Sequence, residues 1–139
     1  MTSKIENIRQ QNRQKADRLG KMQAGIRLFD VTFNNPDFGL LVVEFDRQTS
    51  EFTHVSMSCK KLLGYDQGDM IGRKNYEFIH ENDIKNTINE SENQLLNNQE
   101  SSGFINHIKK KNGDYVRAEW FSAGGNDFKQ VAYAKIKKL

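Results

Sequence analysis

LLGYDQGDMIGRKNYEFIHENDI, residues 62–84, decides how the chain is read. Leu62-Leu63 run into Gly64-Tyr65, an acidic turn with Gly68 leads to Ile71-Gly72, and Phe78-Ile79-His80 passes at once into Glu81-Asn82-Asp83. Three glycines break any continuous helix, because each costs about 1 kcal/mol relative to alanine in a helix interior. The apolar content is too high for a linker. Such a stretch permits three readings: a catalytic loop, a metal site, or the irregular wall of a core or binding pocket.

Working outward, the periodicity on the N-terminal side is that of strands. Phe38–Phe45 (FGLLVVEF) is apolar and β-branched, Asp46–Ser50 is turn-like, and Glu51–Ser56 (EFTHVS) predicts a second strand that closes a hairpin. Ser56 fits the N-cap of a short helix, Met57–Leu63, stopped by Gly64. On the C-terminal side, Asn82 or Asp83 fits the cap of a longer helix over about residues 83–98, with Ile84, Ile88 and Leu95 as its apolar stripe. The last third predicts strands at Gly103–Lys110, Asp114–Ser122 and Phe128–Lys137, joined by Asn112-Gly113 and by Gly124–Asp127. Alternation puts Val116, Ala118 and Trp120 on one face of the middle strand and Tyr115, Arg117 and Glu119 on the other. Two strands, a helical segment and three strands, without regular β-α-β alternation, predict an α+β domain: a five-stranded antiparallel sheet with its short helices and one longer helix on one face.

A chain of 139 residues is long enough for one domain of ordinary core size and too short for two. The lone Cys59 cannot form an internal disulfide, and no apolar run approaches the roughly 18–20 residues that span a bilayer. The start, MTSKIENIRQQNRQK, lacks the apolar core of a secretory signal. A cytoplasmic protein without a membrane span is expected.

Charge divides the chain. Residues 1–29 carry seven Lys or Arg against Glu6 and Asp17, a balance of +5 that leaves −2 for the rest of a chain whose total is +3. A basic arm attracts nucleic acid or an acidic membrane surface, but charge on a helix is more often a solvated face, and nucleic-acid binding is the weakest of the function classes considered. The arm also has a heptad pattern. Ile5, Asn12, Leu19 and Ile26 form one set of core positions and Ile8, Lys15, Met22 and Phe29 the other, six of the eight apolar. Residues 1–29 are therefore expected to form an amphipathic helix, either pairing with a second copy or lying on its own domain, ahead of a globular domain at 30–139.

Catalysis finds little support. His54, His80 and His107 fall in different elements, with no metal-binding histidine pair at helical spacing, and His80 at a helix entrance suits a capping role better than that of a base. No glycine cluster follows a strand and precedes a helix in the manner of a phosphate-cradling loop.

Three segments then carry a family resemblance over roughly residues 28–137. LLGYDQGDMIG is similar to the leucine-leucine-glycine-tyrosine, acidic turn and glycine of PAS domains. FIHENDI is similar to that family's phenylalanine-isoleucine-histidine-proline-aspartate-aspartate, and KKNGDYVRAEW to the hairpin of its C-terminal β motif. The chain departs from the pattern at Ser56, where asparagine is common, and at Glu81-Asn82. The resemblance implies that residues 62–84 form the helical wall that closes a pocket against a five-stranded sheet. Leu63, Met70, Ile71, Phe78, Ile79, Ile84 and Ile88, with Val116, Ala118 and Trp120 from the sheet, are the residues expected to line such a pocket or to fill it as an ordinary core.

The resemblance also bears on cofactors, whose identity stays unknown. Light-sensing flavin members carry a reactive cysteine where this chain has Tyr76, so no thiol–flavin adduct is expected and Cys59 is read as a small core residue. Haem-binding members use a histidine on the long helix, and residues 83–98 contain none. The expected function is a sensory or regulatory module that binds a small ligand, mediates dimerisation through the N-terminal helix or the outer sheet face, or both. A ligand-free dimerisation module is the alternative. The chain ends at AKIKKL, where the last strand should end, which fits either a fragment of a larger signalling protein or one that works through other chains.

Overall fold

The computed structural model describes residues 34–97 and 102–139, so the predicted helix at 1–29 lies outside the described residues. Strands β1 (Leu41–Asp46) and β2 (Phe52–Val55) come first, followed by α1 (Cys59–Leu63), α2 (Gln67–Met70), a 3-10 turn (Asn75–Phe78) and the long helix α3 (Glu81–Asn97). Strands β3 (Ser102–Lys109), β4 (Tyr115–Gly125) and β5 (Lys129–Lys138) complete the chain. All five strands form one antiparallel sheet in the order β2-β1-β5-β4-β3. The α+β architecture expected from the sequence is the one observed.

One device shapes all three hairpin turns. In each, an Asp or Asn side chain accepts a hydrogen bond from the backbone two residues on: Gln48 N donates to Asp46 Oδ1 at 2.8 Å, Asp114 N to Asn112 Oδ1 at 3.0 Å, and Phe128 N to Asn126 Oδ1 at 2.8 Å. These short side chains mimic a backbone carbonyl and so fix where the chain reverses.

The inner face of the sheet carries the main core. Leu41 and Val43 of β1, Ile108 of β3, Val116 and Ala118 of β4, and Ala132 and Ala134 of β5 pack with Phe52, Val55, Cys59, Leu63, Met70 and Phe78. On the outer face, Val42 and Val131 form a second cluster against Phe38, Ala123 and Tyr133. Val131 and Tyr133 thus turn away from Ala132 and Ala134, as strand alternation requires.

Two caps differ from expectation. Ser58, not Ser56, precedes α1. Ser56 is fully buried and instead ties the segment to β1, its Oγ accepting from Val42 N at 3.0 Å and lying 2.6 Å from Ser58 Oγ. Helix α3 begins at Glu81, ahead of both expected caps. His80 Nδ1 accepts from Asn82 N at 3.1 Å, which gives this histidine the capping role its position suggested. Asp83 is drawn to β3, where it accepts from His107 N at 2.9 Å and pairs with His107 Nδ1 at 2.8 Å.

The segment between α2 and α3 touches both outer strands. Phe52 N of β2 donates to Arg73 O and accepts from Gly72 N through its carbonyl, while on the far side His80 N donates to His107 O of β3. Isolated bridges join Glu51 to Lys74 and Ile79 to Ile108.

Candidate functional site beneath the long helix

The opening segment is a wall of the core. Gly64 ends α1 in the left-handed region at φ 86°, with its N–H on Lys60 O, and sends the chain back so that Leu63, Met70 and Phe78 all point inward. Tyr65 meets Phe78 edge-on with ring centroids 5.2 Å apart and donates its hydroxyl to Lys109 O at 2.8 Å, joining the wall to the end of β3. Phe52 also packs against Phe78, tilted, with ring centroids 5.9 Å apart.

The ten residues expected to face the interior do not share one environment. Leu63, Met70, Phe78, Val116 and Ala118 are buried core residues, and Ile79 and Trp120 are partly buried against them. Ile84 is half-buried. Ile71 and Ile88 are exposed, at 37 % and 41 %, which corrects the expectation that they face inward. Ile71 follows the last residue of α2 with extended backbone that carries it past the wall. Ile88 is displaced because α3 turns a different stripe to the sheet.

That stripe is polar. Asp83 reaches His107, Thr87 accepts from Asn106 Nδ2 at 3.3 Å, and Gln94 meets Ser122 and Gln130. Positions 83, 87 and 94 lie on one helical face. Opposite them, Asn106 and Gln130 are buried at 2 % and 4 % exposure. The sequence reading missed this set, although a signal was present: Asn106 shares its strand parity with Ile108, and Gln130 with Ala132 and Ala134, so each is a polar residue in an inward register.

Two hydrogen-bonded groups result. In the first, Trp120 Nε1 donates to Asn106 Oδ1 at 2.7 Å and Asn106 continues to Thr87. In the second, Gln94 Oε1 accepts from Gln130 Nε2 at 2.6 Å and from Ser122 Oγ at 3.1 Å, while Gln94 Nε2 donates to Glu90 Oε1 at 3.2 Å. Buried polar groups are ordinarily paired, since an unpaired one costs about 1–3 kcal/mol. Gln130 Oε1 is buried without a partner.

Other reactive groups lie elsewhere. Cys59 is fully buried, donates to Tyr65 O at 3.2 Å, and has its thiol pushed up to about 11, first by burial and then by Asp66 and Asp69. It is the core residue the sequence suggested, held in the unreactive protonated form. Among the described residues no group of three His, Cys, Asp or Glu is arranged to hold a metal ion. An open surface groove of about 350 Å³ between α1 and the β3–β4 turn is lined by Lys60, Lys61, Lys110 and Lys111. Lys60 is already paired with Asp66 at 3.4 Å, Lys61 with Asp37 at 3.0 Å and Lys111 with Asp69 at 3.1 Å. No helix among the described residues is long and apolar enough to cross a membrane.

An antiparallel sheet in this strand order, with a run of short helices and one long helix between its second and third strands, is the architecture of a PAS domain. The sequence profile described as PAS fold matches residues 52–127, and the chain belongs to that family. Among solved structures, the PAS domain of the Cronobacter turicensis RpfR quorum-sensing receptor in complex with BDSF superposes with a TM-score of 0.62 at 11 % identity, covering 72 % of this chain and 95 % of that one. The Drosophila melanogaster Cycle PAS-B domain with bound ethylene glycol gives 0.57 at 14 % identity, over 71 % and 99 %. A Rhodobacter sphaeroides LOV protein gives 0.65 at 12 % identity, over 82 % and 67 %. At these identities the likeness is one of fold. No curated protein matches the chain.

Proposed function

We propose that this PAS domain is a sensory or regulatory module, not a catalyst, that binds a small molecule between α3 and the inner face of the sheet and works in the cytoplasm. The observation that carries the reading is the set of buried polar side chains, Asn106, Gln130 and Gln94, where α3 lies against the sheet. A core serving stability alone gains more from apolar residues there, because each buried polar group must recover its lost hydration. Placed polar groups beside an apolar wall are what a selective small-molecule site requires. The PAS neighbours solved with BDSF and with ethylene glycol support the same reading. Binding is expected to change Trp120 fluorescence, because its indole nitrogen is held by Asn106 in this polar set. Native mass spectrometry and an absorption spectrum of the purified protein, followed by a thermal-shift screen, test this. Clear hits that Trp120→Ala leaves unaffected would identify the interior as a packed core.

A second reading is favoured by the outer-face cluster of Val42, Val131, Phe38, Ala123 and Tyr133. Apolar groups gathered on that face suit a subunit interface, either directly or through the heptad helix proposed for residues 1–29. Light scattering separates the two routes. Leu19→Glu with Met22→Glu should dissociate a dimer made by the helix, and Tyr133→Glu one made by the sheet.

A further inference from the structure

The amides beneath α3 fix one another's orientation. An ionised carboxylate only accepts hydrogen bonds, so Gln94 turns its Nε2 to Glu90, 3.2 Å away, and its Oε1 toward the sheet. That oxygen demands a donor, and Gln130 supplies Nε2 at 2.6 Å. The same nitrogen donates to Ser122 Oγ at 3.1 Å. Gln130 Oε1 is left with no donor, on a residue only 4 % exposed. Reversing the Gln130 amide does not relieve this, since it would set two acceptor oxygens against each other at Gln94.

A buried acceptor without a donor is a recognition point for whatever brings one. We infer that Gln130 Oε1 receives the head group of the bound molecule, and that this head is an uncharged hydrogen-bond donor, a hydroxyl or an amide N–H, and not a carboxylate. The inference rests on the proposed binding of a small molecule beneath α3 and adds the chemistry of its head. Among the described residues, the polar groups that meet there are Thr87, Glu90, Gln94, Asn106, Ser122 and Gln130, without a lysine or arginine among them. An ionised carboxylate has no proton to give Gln130. Asn106 Oδ1 already accepts from Trp120, whereas Gln130 Oε1 accepts from nothing, so the donor is drawn to Gln130.

Benzyl alcohol and anisole test the inference, being isomers of which only the first has a donor; benzoate supplies the anionic head. Titrations are read by Trp120 fluorescence and by NMR shifts of residues in α3, β4 and β5. Benzyl alcohol is expected to bind about tenfold more tightly than anisole, the effect of one hydrogen bond to a buried acceptor, with benzoate the weakest of the three. In Gln130→Leu the preference should vanish, with anisole bound at least as well as before. Gln130→Met, closer in length, serves should the leucine variant fail to fold. Equal affinities in the unaltered protein, or a preference that survives both substitutions, would overturn the donor assignment while leaving ligand binding intact. No shift with any of the three probes would overturn the binding reading and this inference together.

Discussion

Trp120 on β4 and Asn106 on β3 are diagonal neighbours across the sheet, joined by a 2.7 Å hydrogen bond from the indole Nε1 to the amide Oδ1. Asn106 is directly opposite Ala118, whose small side chain accompanies the large indole two residues along the strand. Asn106→Leu removes the acceptor and also the donor to Thr87. It is expected to cost about 1–3 kcal/mol, because the indole N–H stays half-buried without its partner. Urea unfolding followed by Trp120 emission measures both the loss and the changed environment; an unaltered midpoint and spectrum would refute the role given to this pair.

Cys59 should be inert in the folded protein. Raising the thiol from 9.0 to about 11 lowers its thiolate fraction at neutral pH about a hundredfold, even before burial blocks access. A disulfide reagent at pH 8 is expected to react only after denaturant is added. Since the folded state keeps the proton more tightly than the unfolded one, the stability associated with the thiol is intact below pH 9 and declines between 9 and about 11. Cys59→Ala should remove that part of the alkaline loss.

Glu44 predicts the behaviour at the other end of the pH scale. Burial pushes its pKa up, but the hydrogen bond from Thr53, the contact and charge of His54, and the charge of Lys129 outweigh it and leave the carboxyl below the usual 4.5. Its stabilising contribution is therefore complete above about pH 4.5 and is lost as the pH falls through the lower folded value. Glu44→Gln is expected to cost under about 1 kcal/mol at pH 7 and to shrink the gap between urea midpoints at pH 7 and pH 3. A gap of unchanged size would place the acid sensitivity in other carboxylates, of which Asp46, Asp69 and Glu77 are also depressed.

Gly64 supplies the turn that starts the wall. At φ 86° an L-residue is strained by about 1–2 kcal/mol, although a Cβ there would meet Lys111 Cβ at 3.4 Å and Lys111 N at 4.0 Å, both ordinary contacts. Gly64→Ala should lower stability by that amount without changing the fold. Chemical denaturation checks it, and a neutral result would mean the chain relaxes at this point.

The sheet was legible in the sequence because its signals are local. Alternation places Val116, Ala118 and Trp120 on one face, and Asp46, Asn112 and Asn126 mark turns by bonding their own backbones. The inward face of α3 was not legible. Its hydrophobic residues Ile84 and Ile88 suggested the buried side, but the helix is oriented by Asp83 and Thr87, whose partners His107 and Asn106 lie 24 and 19 residues away. Helical periodicity records which residues share a face; it does not record which face a distant strand will take. The exposed position of Ile71 has a related origin, in a chain reversal whose direction Gly72 and Phe52 set between them.

The stretch from Gly72 to His80 hydrogen-bonds to β2 at one end and to β3 at the other. These are the two outermost strands, four strand spacings or about 19 Å apart. An open sheet normally presents two raw borders, either of which can template a foreign strand and seed a fibril. Here a single belt is buckled to both. Damage that slackens it at Arg73 or at His80 would free the first border directly and loosen the hold on the second, so a local lesion would leave the domain open to aggregation from two sides.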